Sequence, residues 1–230
     1  MLAIKAMELF AKFGRETGGG VKMDGVALEV MLGSIAGVTV NPLTGHVLVV
    51  DRGPITAGVG QYDPDSKWFT RIPISGLNGV PEAISIGATT DNQTSSLYLS
   101  LESAVGQLHS SASKIFILAG SRSTGFANGV GSAARFEVIS GLAFASHIGT
   151  KGALLAADKY NHCIRMIDIA TATVTTFAGR CGESGSGNGF ASEMARFLHP
   201  QSITADGHAF YVTDGDVPHS RLRKIAMVEE

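Results

Sequence analysis

Three aspartates stand out because each one ends an apolar segment of the same kind. Asp51 follows the residues VLVV, Asp158 follows LLAA, and Asp214 follows FYVT. Carboxylates that recur around an axis could hold a divalent cation, so the three are candidate metal ligands. In the competing interpretation, each aspartate accepts hydrogen bonds from backbone N–H groups of the turn after its strand. We favour this second, architectural interpretation.

Other patterns of catalytic residues are missing from the sequence. The seven histidines show no metal-ligand spacing of the H-E-x-x-H kind, and there is no G-x-S-x-G nucleophile motif. The glycine-rich run at 182–189 lacks the Lys-Ser/Thr ending of a phosphate-binding loop. The sequence therefore predicts no catalytic residue and no cofactor.

The composition excludes several classes of protein. The 230 residues carry 18 Lys+Arg and 20 Asp+Glu, and a net charge of −2 offers no basic excess for binding nucleic acid. Hydrophobic residues make up 44% of the chain, which is enough for a core and excludes a disordered chain. No apolar stretch approaches the roughly 20 residues of a membrane span, so no membrane partner is expected. The 29 glycines indicate many turns.

The two cysteines and the N-terminal residues indicate the cellular compartment to expect. Cys163 and Cys181 do not form a C-x-x-C motif, and no histidine cluster accompanies them at zinc-ligand spacing. We therefore expect two free thiols. The N-terminal residues lack the uninterrupted apolar region of a signal peptide, so the sequence favours a cytoplasmic location.

An internal repeat organises the chain. The motif G-F-A recurs at 125–127 and 189–191, and A-R-F recurs at 134–136 and 195–197. The pair Ala-Gly precedes each unit, at 119–120 and at 178–179. Apolar segments at 47–51 and 97–100 extend the cycle upstream, with Ser100 in the place of the aspartate. Four copies of about 55 residues are typical of a β-propeller.

Each copy has the pattern of four short strands, so we predict an all-β fold in one domain, 1–230, made of four-stranded antiparallel blades. In the third copy the strands fall near 141–145, 153–157, 163–168 and 173–177, where β-branched residues and turn formers alternate. Short helical turns are expected at 132–136 and 192–197. Their phenylalanines, Phe136 and Phe197, are expected to fill the gap between neighbouring sheets.

The last copy ends after its third strand, near 222–226. The segment 7–13 could complete that blade and close a ring of four, which would remove an exposed sheet edge. An incomplete fragment and a homodimer that pairs open edges are the alternatives. The basic residues Arg221, Arg223 and Lys224 are expected to lie on a solvated outer strand.

The combined motifs resemble an NHL repeat. Ala-Gly, G-F-A-N-G and A-R-F lead to A-D-K-Y-N-H-C-I-R at 157–165, which contains the Asn-His pair of the signature. The last copy departs from it, with His219 and Ser220 in the Asn-His positions. The resemblance is strong over 114–228, whereas upstream it rests on spacing and strand pattern.

Membership of the NHL family implies a β-propeller that binds a protein partner through the loops of one face. The candidate contact residues in these loops are Lys159, Tyr160, His162, Asp216 and His219. Some related propellers are lyases or lactone hydrolases with an axial divalent metal, for which Asp51, Asp158 and Asp214 would be the candidates. Others bind RNA through a positive face, which the net charge disfavours.

Overall fold

In the computed structural model, the described residues are 25–26, 35–51, 58–72, 83–88, 95–109, 114–190 and 193–227. Their regular structure consists of strands and one 3₁₀ turn at Gly131–Ala133. In this part of the chain no helix has the length and apolar character needed to cross a membrane.

The strands form four antiparallel sheets, which we number as blades in chain order. Blade 1 contains β1 (Gly25–Val26), β2 (Ile35–Val40), β3 (Val47–Asp51), β4 (Gly58–Asp63) and β5 (Trp68–Ile72), in the spatial order β1-β5-β4-β3-β2. Blade 2 contains β6 (Ala83–Ala88), β7 (Ser95–Ser100), β8 (Ala104–His109) and β9 (Lys114–Gly120). Blade 3 contains β10 (Gly129–Val130), β11 (Ile139–Ala145), β12 (Ala153–Asp158), β13 (Cys163–Asp168) and β14 (Thr173–Ala178), in the order β10-β14-β13-β12-β11. Blade 4 contains β15 (Pro200–Ala205), β16 (Ala209–Asp214) and β17 (Arg221–Ala226).

The four strands predicted in the third copy are confirmed. Strand β12 is buried at every residue, because it is a central strand that neighbouring sheets cover on both faces. The threonines of β14 are only partly buried and alternate with buried Val174, as expected for a strand nearer the surface.

The first strands of the blades lie side by side around an axis. β2 packs beside β6, β6 beside β11, and β11 beside β15. Residues 36–39, 140–144 and 202–205 of these strands line a cavity of about 430 Å³. At Gly141 a Cβ atom would lie 2.8 Å from the Cα of Ser202, so glycine permits the close approach of β11 and β15. This arrangement of sheets around a central channel is that of a β-propeller.

The predicted role of the two phenylalanines is confirmed. Phe136 is fully buried in a cluster that joins Tyr98 and Val105 of blade 2 to Leu154 of blade 3. Phe197 occupies the same place between blades 3 and 4. Of the helical turns predicted around them, the first is a 3₁₀ turn at Gly131–Ala133, and the second, at 192–197, falls partly outside the described residues.

The register corrects one detail of the repeat. Strand β9 ends in Ala119-Gly120, and β14 ends at Ala178, which Gly179 follows, so the two alanines align the blades. In blade 2, Ala119 pairs with Val105, and Val105 pairs with Ser100 on the next strand. In blade 3, Ala178 pairs with Ile164, and Ile164 pairs with Ala157, so Ser100 is the counterpart of Ala157. Leu101, rather than Ser100, therefore occupies the position of Asp158.

The closure of the ring falls outside the described residues, because segment 7–13 is not among them. Within the described part of blade 4, β17 is the edge strand of a three-stranded sheet.

The prediction of two free thiols is wrong, since Cys163 and Cys181 form a disulfide. The pairing of β13 with β14 explains the bond. Ile164, which follows Cys163, pairs with Ala178 at the end of β14, so Cys163 lies beside the start of the turn that contains Cys181. The sequence spacing alone did not reveal this neighbourhood, because it depends on the register of two strands.

Replacing both cysteines by alanine is expected to lower the free energy of unfolding by about 3 kcal/mol, because the bond closes a loop of 18 residues in the unfolded chain. Chemical denaturation with and without a reducing agent measures the effect. The wild type should weaken in the reducing agent, whereas the double variant should not respond. Equal stability of the two proteins under oxidising conditions would contradict the prediction.

Candidate functional site

Asp158 lies at the end of β12 and is completely buried. Its Oδ2 accepts hydrogen bonds from Arg165 Nη1 at 3.0 Å and from Asn161 Nδ2 at 2.9 Å, and its Oδ1 accepts one from the backbone N–H of Glu137 at 2.8 Å. Both carboxylate oxygens are thus engaged by protein groups. Burial raises the pKa of Asp158, while these three hydrogen bonds oppose the rise.

Arg165 connects the same carboxylate to the loop that opens the blade. Its Nη1 donates to the carbonyl of Arg135 at 3.0 Å, and its Nη2 donates to the carbonyl of Ala127 at 2.8 Å and to Asn128 Oδ1 at 2.7 Å. The guanidinium also lies 5.1 Å from the ring centre of Phe136. We call this pair of Asp and Arg, with its loop contacts, the clamp of the blade.

Blade 4 repeats the clamp almost atom for atom. Arg223 Nη1 contacts Asp214 at 3.1 Å, and Arg223 Nη2 donates to the carbonyl of Gly187 and to Asn188 Oδ1. Asp214 also accepts a hydrogen bond from the backbone N–H of Leu198 at 2.7 Å. Only 11% of the Arg223 side chain is exposed, so the expectation that this arginine is solvated is wrong.

Blade 1 forms the clamp with an arginine from a different strand. The position of Arg165 is occupied by Gly60, and Arg71, directly opposite on β5, reaches Asp51 at 2.9 Å. A Cβ atom at Gly60 would lie 1.9 Å from Cζ of Phe69, so the ring fills the space that a side chain would need. The ion pair is retained although its arginine has moved.

Blade 2 replaces the clamp with apolar contacts. Leu101 stands in place of the aspartate, and Gly106 stands in place of the arginine. The side chain of Ile115 occupies the space beside Gly106, where a Cβ atom would lie 2.4 Å from it. An apolar group of suitable shape commonly substitutes for a buried ion pair without loss of stability.

These contacts bear on the metal hypothesis for Asp51, Asp158 and Asp214. The three carboxylates lie in three different blades, and each is paired with an arginine of its own sheet. Across the described residues, no three His, Cys, Asp or Glu side chains gather as they would around a metal ion. The geometry places these aspartates in the clamps. The backbone N–H groups that bind Asp158 and Asp214 belong to Glu137 and Leu198 in the loop before each blade, whereas the sequence analysis expected donors from the turn after each strand.

The loop candidates meet at the boundary between blades 3 and 4. We call Tyr160, His162, His199, Gln201 and Asp216 the seam cluster. The ring of His199 lies 4.7 Å from that of His162 and packs edge-on against Tyr160 at 5.5 Å. Asp216 accepts hydrogen bonds from His199 Nδ1 and from Gln201 Nε2, the latter at 3.1 Å. The cluster is a surface feature, with Tyr160 48% exposed.

Both histidines are held in the left-handed backbone conformation, with φ of +58° at His162 and +56° at His199. The backbone N–H of His199 donates to Nδ1 of His162 at 3.3 Å, which a neutral imidazole can accept. Burial, followed by the nearby charge of His199, lowers the pKa of His162. The hydrogen bond from His199 is the main cause that lowers the pKa of Asp216, and the charge of Lys159 contributes.

The structure thus brings three of the five predicted loop residues, Tyr160, His162 and Asp216, together in the seam cluster. Lys159 lies over the ring of Tyr160 at 5.3 Å, beside the cluster. His219 is exposed and touches the group only through its backbone N–H, which donates to the carbonyl of Asp216 at 2.6 Å. The sequence did not single out His199 and Gln201, although His199 follows A-R-F by two residues and could have been placed at the blade boundary by that motif.

Replacing Arg165 by methionine is expected to lower the free energy of unfolding by about 3 to 5 kcal/mol, because it leaves the buried Asp158 carboxylate without its cation. Urea denaturation measures the change. Arg180→Met is the matched control, since Arg180 pairs with Glu183 in the solvent, and its effect should stay within about 0.5 kcal/mol. Similar losses for the two variants would refute a special role for the clamp.

The stability of the protein is expected to fall as the pH drops below about 6.5, the ordinary pKa of histidine, through the contribution of His162. The folded-state pKa is lowered, so the unfolded chain takes up the proton first and gains free energy from it. An NMR titration should place the midpoint of His162 below the ordinary value. His162→Asn should flatten the pH dependence of stability between pH 7 and 5, and His208→Asn, a change at an exposed turn, should leave it as in the wild type.

Comparison with known proteins supports the fold of this chain and does not assign it a function. No family model matches the chain, and no curated protein matches it. Among solved structures, an auxiliary nutrient binding protein from Bacteroides ovatus superposes with a TM-score of 0.67 at 22% identity, over 87% of this chain and 50% of that chain. A second auxiliary nutrient binding protein, from Bacteroides thetaiotaomicron, gives 0.62 at 22% identity, over 78% and 45%.

A putative phosphatase from Bacteroides thetaiotaomicron gives a TM-score of 0.65 at 19% identity, over 85% of this chain and 48% of that chain. The chain therefore spans about half the length of these neighbours. Their names describe different functions. Sequence identities this low indicate a shared fold but do not indicate a shared activity. With the four sheets around a channel, these similarities show that the chain is a β-propeller.

Proposed function

We propose that this β-propeller is an NHL-like binding module that performs no catalysis and engages a protein partner through the seam cluster. One observation carries the proposal: loop residues predicted separately from two repeats converge on a single exposed surface, together with His199 and Gln201. A tyrosine presented beside hydrogen-bonding side chains is a common composition for a protein-binding surface.

The rigidity of the surroundings supports the same proposal. The loop that carries Tyr160 and His162 lies between Asp158 and Cys163, so the clamp holds one end of it and the disulfide holds the other. Asn161, in the middle of the loop, is buried and hydrogen-bonded to Asp158. A surface that is fixed before binding loses less conformational entropy when a partner binds.

The disulfide also supports a proposal about the compartment. Disulfides persist in oxidising compartments and are rare in the cytosol, so we place the protein in an oxidising environment rather than in the cytoplasm that two free thiols would have favoured.

Affinity capture from native lysate tests the proposed binding site. Wild-type protein should capture a reproducible protein partner, and Tyr160→Ala should weaken its retention by more than about tenfold, as expected for a tyrosine at the centre of an interface. Tyr160 is half exposed, so the substitution should leave the fold intact.

Lys151→Ala is the matched control. Lys151 is exposed in the turn between β11 and β12, at the opposite ends of the strands from the seam cluster, and its loss should leave capture unchanged. Capture that survives Tyr160→Ala but fails in Lys151→Ala would move the site to the other face. Absence of any reproducible partner for the wild type would count against the binding role.

A further inference from the structure

A second surface, away from the seam cluster, has the shape of a missing strand. A groove of about 1030 Å³ runs beside β17, and its other wall includes Phe190 and Met194, which are 78% and 60% exposed. We call it the edge groove. Among the described residues no strand pairs with this side of β17, so backbone hydrogen-bonding groups face the groove.

Blade 3 shows what the edge groove would hold. The clamp arginines align β13 with β17, so Leu222 corresponds to Ile164 and Ile225 corresponds to Ile167. Ile164 is completely buried beside β14, whereas Leu222 is 72% exposed. A strand laid along β17 as β14 lies along β13 would cover this apolar surface.

The charge of the edge groove restricts the chemistry of that strand. Arg221, Arg223 and Lys224 line it, and its described lining contains no carboxylate. The clamp engages Arg223, which leaves Arg221 and Lys224, both exposed. A chain with a net charge of −2 therefore presents a locally positive groove, which favours an acidic occupant.

We propose that the edge groove binds an extended, acidic segment of a protein partner, which adds to β17 as an antiparallel fourth strand. The register of β14 gives the pattern. Val174 pairs with Ile167 and Thr175 pairs with Met166, so the partner places an apolar residue opposite Ile225 and an acidic residue opposite Lys224. Main-chain hydrogen bonds supply affinity, and the alternate side chains supply specificity.

Two other occupants fit the charge less well. The first 24 residues of this chain carry four Lys or Arg and three Asp or Glu, a net charge of +1 (4 − 3), which does not complement the groove. A second copy that paired its own β17 in antiparallel fashion, centred between Arg223 and Lys224, would set these two basic residues opposite each other, and like charges opposite each other are unfavourable.

Fluorescence anisotropy with the full chain tests the proposal. The probe is a labelled peptide of sequence Gly-Thr-Val-Glu-Thr-Phe-Ala-Gly, and its comparison peptide has Lys in place of Glu. The acidic peptide should bind more tightly than the basic one, and Lys224→Glu should weaken it by about tenfold while strengthening the basic peptide. Lys151→Glu makes the same charge change at another exposed lysine and should alter neither affinity.

Each other outcome overturns the proposal. If Lys224→Glu changes neither affinity, the groove does not select an acidic segment. If neither peptide binds, the groove is not a peptide-binding site. Binding that appears only in Leu9→Asp/Phe13→Asp would assign the groove to the N-terminal segment of this chain. If sedimentation shows a dimer that the peptide does not dissociate, the groove is occupied by a second copy of this chain. Circular dichroism and urea denaturation of Lys224→Glu should match the wild type.

The edge groove and the seam cluster are independent sites. Tyr160→Ala, which removes a side chain from the seam cluster, should leave the affinity for the acidic peptide unchanged. The two binding proposals can therefore fail separately.

Discussion

The buried ion pair between an aspartate and an arginine is the interaction that organises blades 1, 3 and 4, while blade 2 fills the same place with apolar side chains. Moving both charges out of water is costly, and hydrogen bonds to the remaining donors and acceptors offset part of that cost. In blades 3 and 4 the blade-opening loops provide most of these hydrogen bonds, since their carbonyl groups accept from the arginine and a backbone N–H donates to the aspartate. Nε of Arg165 is the exception, because it is buried without a hydrogen-bond partner. The clamps of blades 3 and 4 therefore each join two strands to the loop that precedes them. That loop leads to Phe136 or Phe197, which fills the space between one blade and the next.

The clamp also determines how the surface loop is presented. Because Asp158 and Asn161 are held in the interior, Tyr160 and His162 project from a short and well-supported turn. His199 reaches the same place from the next blade, since it directly follows the loop held by the blade 4 clamp. The repeated motif thus acts on function indirectly. Its own residues are buried, and the residues that differ between the repeats lie at the surface.

The sequence predicted the architecture well because the fold repeats. The strand positions in the third copy and the phenylalanines that fill the space between blades follow from motifs that occur at least twice. What the sequence missed depends on register. The disulfide joins Cys163 of β13 to the turn after the neighbouring strand β14. The arginine that pairs with Asp51 comes from β5, and Leu101 takes a position that spacing gave to Ser100. His199 was missed for a related reason, since its role arises only where two blades meet.

In blade 1, glycine occupies the position of the clamp arginine, and this restricts which single substitutions the blade can accept. A side chain restored at that position would meet the ring of Phe69, which now fills the space, and a second arginine would compete with Arg71 for Asp51. The arrangement in blade 1 cannot return to that of blades 3 and 4 by one substitution, because Gly60, Phe69 and Arg71 would have to change together. The three positions are therefore epistatic. Blade 1 thus pairs its aspartate with an arginine as blades 3 and 4 do, but through a set of residues that can be exchanged only as a group.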